Sequence, residues 1–352
     1  MARRGSLIVR DAGEADLAAI TQIATATGQH EAADEAYLGY VRHVMARGRF
    51  MVAERDDAVT GFGGTIRIGD GAGDSGCARA GAVCMLTDLF VHPAAHGTGT
   101  GRAILDALLR DEPRRMTFSS LHAHALPLYT SFAMDAWWPL FYLAGDTGRL
   151  ARPAGWSVAE AAPEAVAGLE RDWTGADRTA DHRYWAAAAG GLAVVASLRG
   201  RPVAAGAVAM SGAEPGITHL AVDAGRTGNS RPTARSAAPA RDPTPARDGT
   251  PAKGRGHDFA PARDGPAAQD RGARSGAAEA GLAEADVADA VLAVLSWLQP
   301  PGGSAQLCLP GPHPAVRPLL RAGWRIKEFD LHMSSEPGLI DPRGPVPSCG
   351  LA

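Results

Sequence analysis

Three glycines at alternate positions stand where an apolar run gives way to helical spacing, in Leu89-Phe90-Val91-His92-Pro93-Ala94-Ala95-His96-Gly97-Thr98-Gly99-Thr100-Gly101-Arg102-Ala103-Ile104-Leu105. Gly97, Gly99 and Gly101 let the backbone turn tightly and aim successive N–H groups at one point ahead of the helix. That is the chemistry of holding a pyrophosphate: the positive end of a helix starting near Gly101 faces the anion, and the missing Cβ atoms let its oxygens reach the main chain. The spacing fits neither Gly-x-x-x-x-Gly-Lys-Ser/Thr nor Gly-x-Gly-x-x-Gly, which disfavours nucleotide hydrolysis and dinucleotide binding. Taken by itself the segment also reads as a plain glycine-rich loop.

With its flanks, the segment resembles the coenzyme-binding motif of the GNAT acetyltransferases, Arg/Gln-x-x-Gly-x-Gly/Ala after a strand ending in an apolar-Val-x-Pro run. His96, Gly99 and Gly101 take the three defining positions, with His96 in place of the usual Arg or Gln. Arg10-x-Ala12 with Asp16 is similar to the family's opening strand and first helix. His122-x-x-Ala125-x-x-Leu128-Tyr129-x-x-x-Ala133-Met134 is similar to its Asn-x-x-Ala-x-x-Leu-Tyr-x-x-x-Gly-Phe, with the Asn, Gly and Phe replaced.

The resemblance implies direct transfer of an acetyl group from acetyl-CoA, bound as co-substrate, to a primary amine in a ternary complex. The amine must lose a proton, the thioester carbonyl must be polarised and the leaving thiolate must be stabilised or protonated. It further implies that Leu89, Phe90 and Val91 hold the pantetheine arm and thioester, and that His96, Gly97, Thr98, Gly99, Thr100, Gly101 and Arg102 hold the pyrophosphate. Tyr129 falls at the position of the general acid for the CoA sulfur, although a tyrosine on a short helix is also an ordinary packing residue. Asp88, one residue before the pantetheine segment, is read either as the base that draws a proton from the amine through water or as a structural carboxylate. His122 and His124 lie near Tyr129 and are of the side-chain type suited to proton transfer near neutrality. Glu31 and Asp34 are candidates for acceptor recognition. The alternative is a catalytically inactive CoA-binding regulatory or interaction protein with the same fold.

These residues need elements to position them. Leu7 to Arg10 reads as a strand, and Asp16 as the N-cap of a helix carrying Leu17, Ile20 and Ile23. A second helix fits Glu35 to Arg47. A hairpin turns about Arg55-Asp56-Asp57, Val83 to Val91 is a strand, and Arg102 to Arg110 is a helix. Met116 to Leu121, Ala125 to Ala133 and Trp137 to Leu143 read as strand, helix and closing strand. The second half repeats the plan. It has a strand at Trp156, a helix over Ala162 to Glu170, a hairpin about Arg199-Gly200-Arg201 and a strand over Ile217 to Val222. Leu282 to Leu298, Ala305 to Leu309, Pro314 to Ala322 and Trp324 to Met333 then alternate helix and strand, and internal duplication is the economical explanation.

The expected class is therefore α/β (α+β), with two GNAT-like domains, each a mixed, largely antiparallel sheet flanked by helices. The catalytic, acetyl-CoA-binding domain is expected over 1–150 and a degenerate copy over 151–223 plus 282–340. In that copy only Asp223-Ala224-Gly225-Arg226-Thr227-Gly228 is similar to the phosphate loop, and the Pro314 to Gly323 helix has no tyrosine. Inside that copy, 224–281 has Phe259 as its only large apolar residue and repeats Pro-Ala-Arg-Asp at 239, 245 and 261, so it reads as a disordered insert that interrupts the domain. Residues 341–352 read as a flexible tail.

Bulk properties narrow the partners. The 352 residues suit two domains, and 45% apolar content supports a core packed largely with small side chains. A formal charge of -3 argues against a nucleic-acid partner; the insert carries ten Lys or Arg against six Asp or Glu, which would suit a nucleic-acid arm, but the interleaved signs favour a solvated linker. A small-molecule or peptide amine acceptor is expected. The N-terminus shows no signal-peptide core and no run is long enough to span a bilayer, so a cytoplasmic protein is expected. Cys77, Cys84, Cys308 and Cys349 have no ligand or disulfide spacing, and no metal is expected.

Overall fold

The computed structural model describes residues 6–28, 35–69, 82–210, 215–223, 283–299 and 303–348. The expected insert at 224–281, and Glu31 and Asp34, lie outside these described residues. In chain order the elements are β1 (Leu7–Asp11), α1 (Leu17–Ala26), α2 (Glu35–Arg47), β2 (Arg49–Arg55), β3 (Ala58–Ile68), β4 (Val83–Val91), α3 (Thr100–Leu109), β5 (Arg115–Ser119), α4 (Ala125–Thr130) and β6 (Asp135–Asp146). They continue as β7 (Trp156–Glu160), α5 (Pro163–Thr174), α6 (Thr179–Ala187), β8 (Gly191–Leu198), β9 (Arg201–Ala209), β10 (Gly216–Val222), α7 (Glu284–Trp297), β11 (Ser304–Pro310), α8 (Val316–Arg321) and β12 (Arg325–Ser334). Among the described residues no helix is long and apolar enough to cross a membrane.

Local chemistry explains most of these elements. Asp56 and Asp57 both have positive φ, 51° and 61°, and Arg199 and Gly200 have 52° and 83°. Two-residue turns of this hand match strand twist, so both expected hairpins close as tightly as the chain allows. β4 alternates between two layers: Cys84 and Leu86 pack with Ile104, Leu105 and Leu108 of α3, whereas Val83 and Met85 pack with Ile20 and Val41 of α1 and α2. Helices thus cover both faces of the sheet. The N-cap expected at Asp16 is corrected: its carboxylate makes no capping bond to α1. It accepts instead from the Gly13 N–H at 2.9 Å and from the Arg10 guanidinium at 2.8 Å, and Arg10 holds its carboxyl below the usual range. α6 has no counterpart in the sequence reading, because Asp181 and His182 are among its buried residues and blur any apolar stripe.

Among the described residues the twelve strands form one sheet in the order β1-β2-β3-β4-β5-β12-β6-β11-β10-β9-β8-β7. That order exchanges the last strand of each half. β12 enters between β5 and β6, pairing Leu331 with Ser119 and Phe329 with Phe141, while β6 pairs with β11 from Ser304↔Asp146 to Pro310↔Leu140. The cores follow the strands. Met333 and Leu331 of β12 pack around Tyr129 and Met134, and Leu143 of β6 packs with Leu307, Leu309 and Trp324. The two parallel pairs, β4 with β5 and β10 with β11, occupy matching places in the two halves. Residues 341–348 are not the loose tail expected: Val346 is fully buried and exchanges backbone hydrogen bonds with Leu220 at 2.8 and 3.0 Å.

Candidate active site

β4 and β5 pair over only three residues, ending at Leu86↔Thr117. Beyond that point Leu89, Phe90 and Val91 remain paired to Gly63, Phe62 and Gly61 of β3, and β5 has left their other edge. A parting of parallel strands exposes a row of main-chain donors and acceptors that an extended ligand can use. A register shift opposite Gly64 and Thr65 leaves Thr87 as an extra residue in β4. The bulge turns Asp88 toward α2, where it accepts a hydrogen bond from the Tyr40 hydroxyl at 2.8 Å.

Past β4 the chain turns through the glycine loop. Gly97 and Gly99 have φ of 71° and 88°, in the left-handed region, and a Cβ built on either would meet nothing within 4 Å. Backbone conformation therefore selects glycine at these two positions, and the space beside them stays open. Gly101 is helical, and α3 starts two residues before the expected Arg102, at Thr100 behind Gly99. The Thr98 hydroxyl donates to the Ala95 carbonyl at 2.7 Å and pairs with the Thr100 hydroxyl at 2.9 Å, bracing the loop from within.

A cavity of about 520 Å³ opens between this loop, the end of β4 and α4. Nine of the ten expected coenzyme residues line it: Leu89, Phe90, Val91, His96, Gly97, Gly99, Thr100, Gly101 and Arg102; Thr98 does not. Tyr129 lines it from α4, and His122, His124, Ser120 and Thr27 complete the wall. His96, at the motif's Arg or Gln position, turns back on the main chain: its Nε2 lies 2.9 Å from the Val91 carbonyl oxygen. A carbonyl can only accept, so Nε2 carries the hydrogen. The rings of His96, His122 and His124 stand 5.4 to 6.1 Å apart, a cluster that only the fold assembles. Arg102 donates to Ser131 Oγ at 2.9 Å and lies over Phe132.

The structure places the two expected catalytic groups differently. Tyr129 is buried but lines the cavity. Burial, with the charges of Asp88 and Asp330, pushes its hydroxyl far above the ordinary tyrosine range, so it stays protonated. Asp88 is buried beneath Tyr40 and is not part of the cavity wall; burial raises its carboxyl above the usual range, against the hydrogen bonds from Thr87 and Tyr40. Asp330, which sequence reasoning missed, reaches this neighbourhood on the exchanged β12 and accepts from Tyr142 at 2.6 Å. No spacing in the sequence could have joined it to Tyr129, some two hundred positions earlier. Ala133, standing where the motif has glycine, adopts φ 54°, and Gly323 at the matching place of the second half has φ 89°.

Residues 46–132 match the family model for the acetyltransferase (GNAT) domain. No curated protein matches the chain in sequence. Among solved structures, a protein from Pyrococcus horikoshii assigned as an acetyltransferase is similar at 13% identity and a TM-score of 0.58, over 98% of this chain and 94% of its own. A GCN5-related N-acetyltransferase from Anabaena variabilis is similar at 10% identity and a TM-score of 0.54, over 94% and 72%. A tandem GNAT protein from the clavulanic acid biosynthesis pathway is similar at 10% identity and a TM-score of 0.50, over 96% of this chain and 100% of its own. Identities this low carry the fold and not the substrate. The family match thus rests on residues 46–132, within a fold shared along nearly the whole chain with a tandem GNAT protein.

Proposed function

We propose that the protein is an N-acetyltransferase that moves an acetyl group from acetyl-CoA to a primary amine by direct attack in a ternary complex. The observation that carries this reading is the shared wall: the left-handed glycine loop, the unpaired edge of β4 and the Tyr129 side chain line one cavity. In this reading the loop from His96 to Arg102 holds the pyrophosphate, Leu89 to Val91 hold the pantetheine arm, and Tyr129 protonates the departing thiolate. As the amine attacks, its nitrogen bonds to the carbonyl carbon. The C–S bond then breaks, and the electron pair leaves on sulfur to take the Tyr129 proton. Asp88, outside the cavity wall, acts at one remove as the acceptor of the amine proton through water. The working site belongs to residues 1–150. Residues 151–223 with 282–340 form a second half without a matching coenzyme loop and supply β12 to the first. The acceptor is a small molecule or a peptide amine.

Calorimetric titration of acetyl-CoA into the wild type and into Gly99→Glu and Gly101→Glu tests the coenzyme site. Gly101 has no positive φ, so its variant separates an intruding carboxylate from backbone strain. Micromolar binding to the wild type, lost at least tenfold in both variants, is expected; no binding to the wild type sinks the proposal.

A further inference from the structure

The two halves are built alike around their fourth strands. In β10, Ile217 pairs with Val208 and His219 with Ala207, so Thr218 is the extra residue of a bulge and His219 follows it as Asp88 follows Thr87. The bulge turns His219 inward. Its Nε2 lies 2.9 Å from Oε1 of Glu170 on α5, and the other oxygen of Glu170 lies 2.6 Å from Nε2 of His182 on α6. All three side chains are buried, with Glu170 and His219 3% exposed and His182 fully enclosed. Where the first half carries a carboxylate and a tyrosine, the second carries two imidazoles on one carboxylate.

We propose that Glu170, His182 and His219 hold a first-row divalent transition-metal ion, for which zinc is the probe. Two imidazole nitrogens and a carboxylate oxygen form a donor set that suits zinc and ferrous iron. One donor atom from each residue lies within 4.8 Å of the other two. Tetrahedral bonds of about 2.1 Å put donors roughly 3.4 Å apart, so the two nitrogen–oxygen distances of 2.6 and 2.9 Å would widen by about 0.5 to 0.8 Å around an ion.

Nδ1 of His182 and of His219 is buried without a protein partner, so the protein's own hydrogen bonds use only half of the cluster's nitrogens. The nearby cation, Arg178, is held by Asp181 at 3.1 Å and lies over Trp185, whose ring stacks on His219. The Glu170 oxygens accept from each Nε2 here, so ligation through Nε2 moves the single proton of each neutral imidazole to Nδ1 and releases none to solvent. The ion would join α5, α6 and β10 through one residue of each.

Elemental analysis of tag-free protein purified without chelators is the test, joined to melting curves in zinc and in EDTA. About one equivalent of metal per chain is expected, with a Tm that EDTA lowers by several degrees and zinc restores. His219→Asn and Glu170→Gln, checked as folded by circular dichroism, should lose both the metal and the zinc response. Metal-free wild type with a zinc-insensitive Tm overturns the proposal. So does unchanged metal content in the two variants, which would place the ion elsewhere, such as on His96, His122 and His124. If either variant fails to fold, metal content and the zinc–EDTA difference in the wild type still decide.

Discussion

In the proposed reaction Tyr129 and Asp88 divide the proton work by environment. Tyr129 sits against the cavity with its hydroxyl pushed up by burial and by two carboxylates, which is the condition for a donor that stays protonated until a thiolate forms. Tyr129→Phe should therefore lower kcat by about a hundredfold with the KM for acetyl-CoA nearly unchanged, measured by thiol release. Asp88 must be ionised to accept a proton, and burial raises its carboxyl. The rate should then fall as pH drops through a value above the ordinary carboxylate range near 4, and Asp88→Asn should remove that limb of the pH profile of kcat/KM. A limb that survives in Asp88→Asn assigns the base elsewhere. The glycine loop was legible in the sequence because φ and steric demand select glycine locally. The Tyr40 contact, Asp330 and the Glu170 cluster were not, because each joins positions on different elements that become neighbours only once those elements pack.

At the scale of elements, the exchange of β6 and β12 is the feature with most consequence. β5 and β6 each have β12 as a neighbour, and β6 has β11 on its other side. A chain of residues 1–150 keeps β6 but loses both of its partners and leaves β5 with an open edge, next to apolar side chains that Met333 and Leu331 would cover. That fragment should fail to give a monomer with a cooperative melt. Co-expression with residues 151–352 should restore a soluble pair, read by size exclusion and circular dichroism. A stable, monomeric 1–150 fragment would show that the exchange is dispensable. α6 teaches the converse lesson about legibility. Its register is set by Asp181, which takes Arg47, His43 and Arg178 at 2.8 to 3.1 Å, so polar pairing does the work that an apolar stripe usually does.

Over the whole molecule, buried histidines set the response to acid. Burial lowers His313 and His332 to about 4, and both are 2% exposed or less. An unfolded chain takes up a proton at each near pH 6.5, whereas the folded chain does not until about pH 4, so stability falls as pH drops through that window. The loss is about 2 kcal/mol per histidine between pH 7 and pH 5. Denaturant titrations at those two pH values should show it, and His332→Gln should reduce the difference; a flat response would mean that these rings are more solvated than their burial indicates.

The residues alone specify most of the local structure: the helix and strand segments other than α6, where the hairpins turn, that the plan is repeated, and that Gly97 to Gly101 follows a strand and leads into a helix. These follow from periodicity, φ preference and side-chain size, which act over a few residues. Only the tertiary structure decided which half each closing strand completes, that Asp88 lies behind the cavity wall while Tyr129 lies on it, and that Glu170, His182 and His219 meet. Those outcomes depend on strand pairing and on two single-residue bulges, where a slip of one position reverses the face that every following side chain presents.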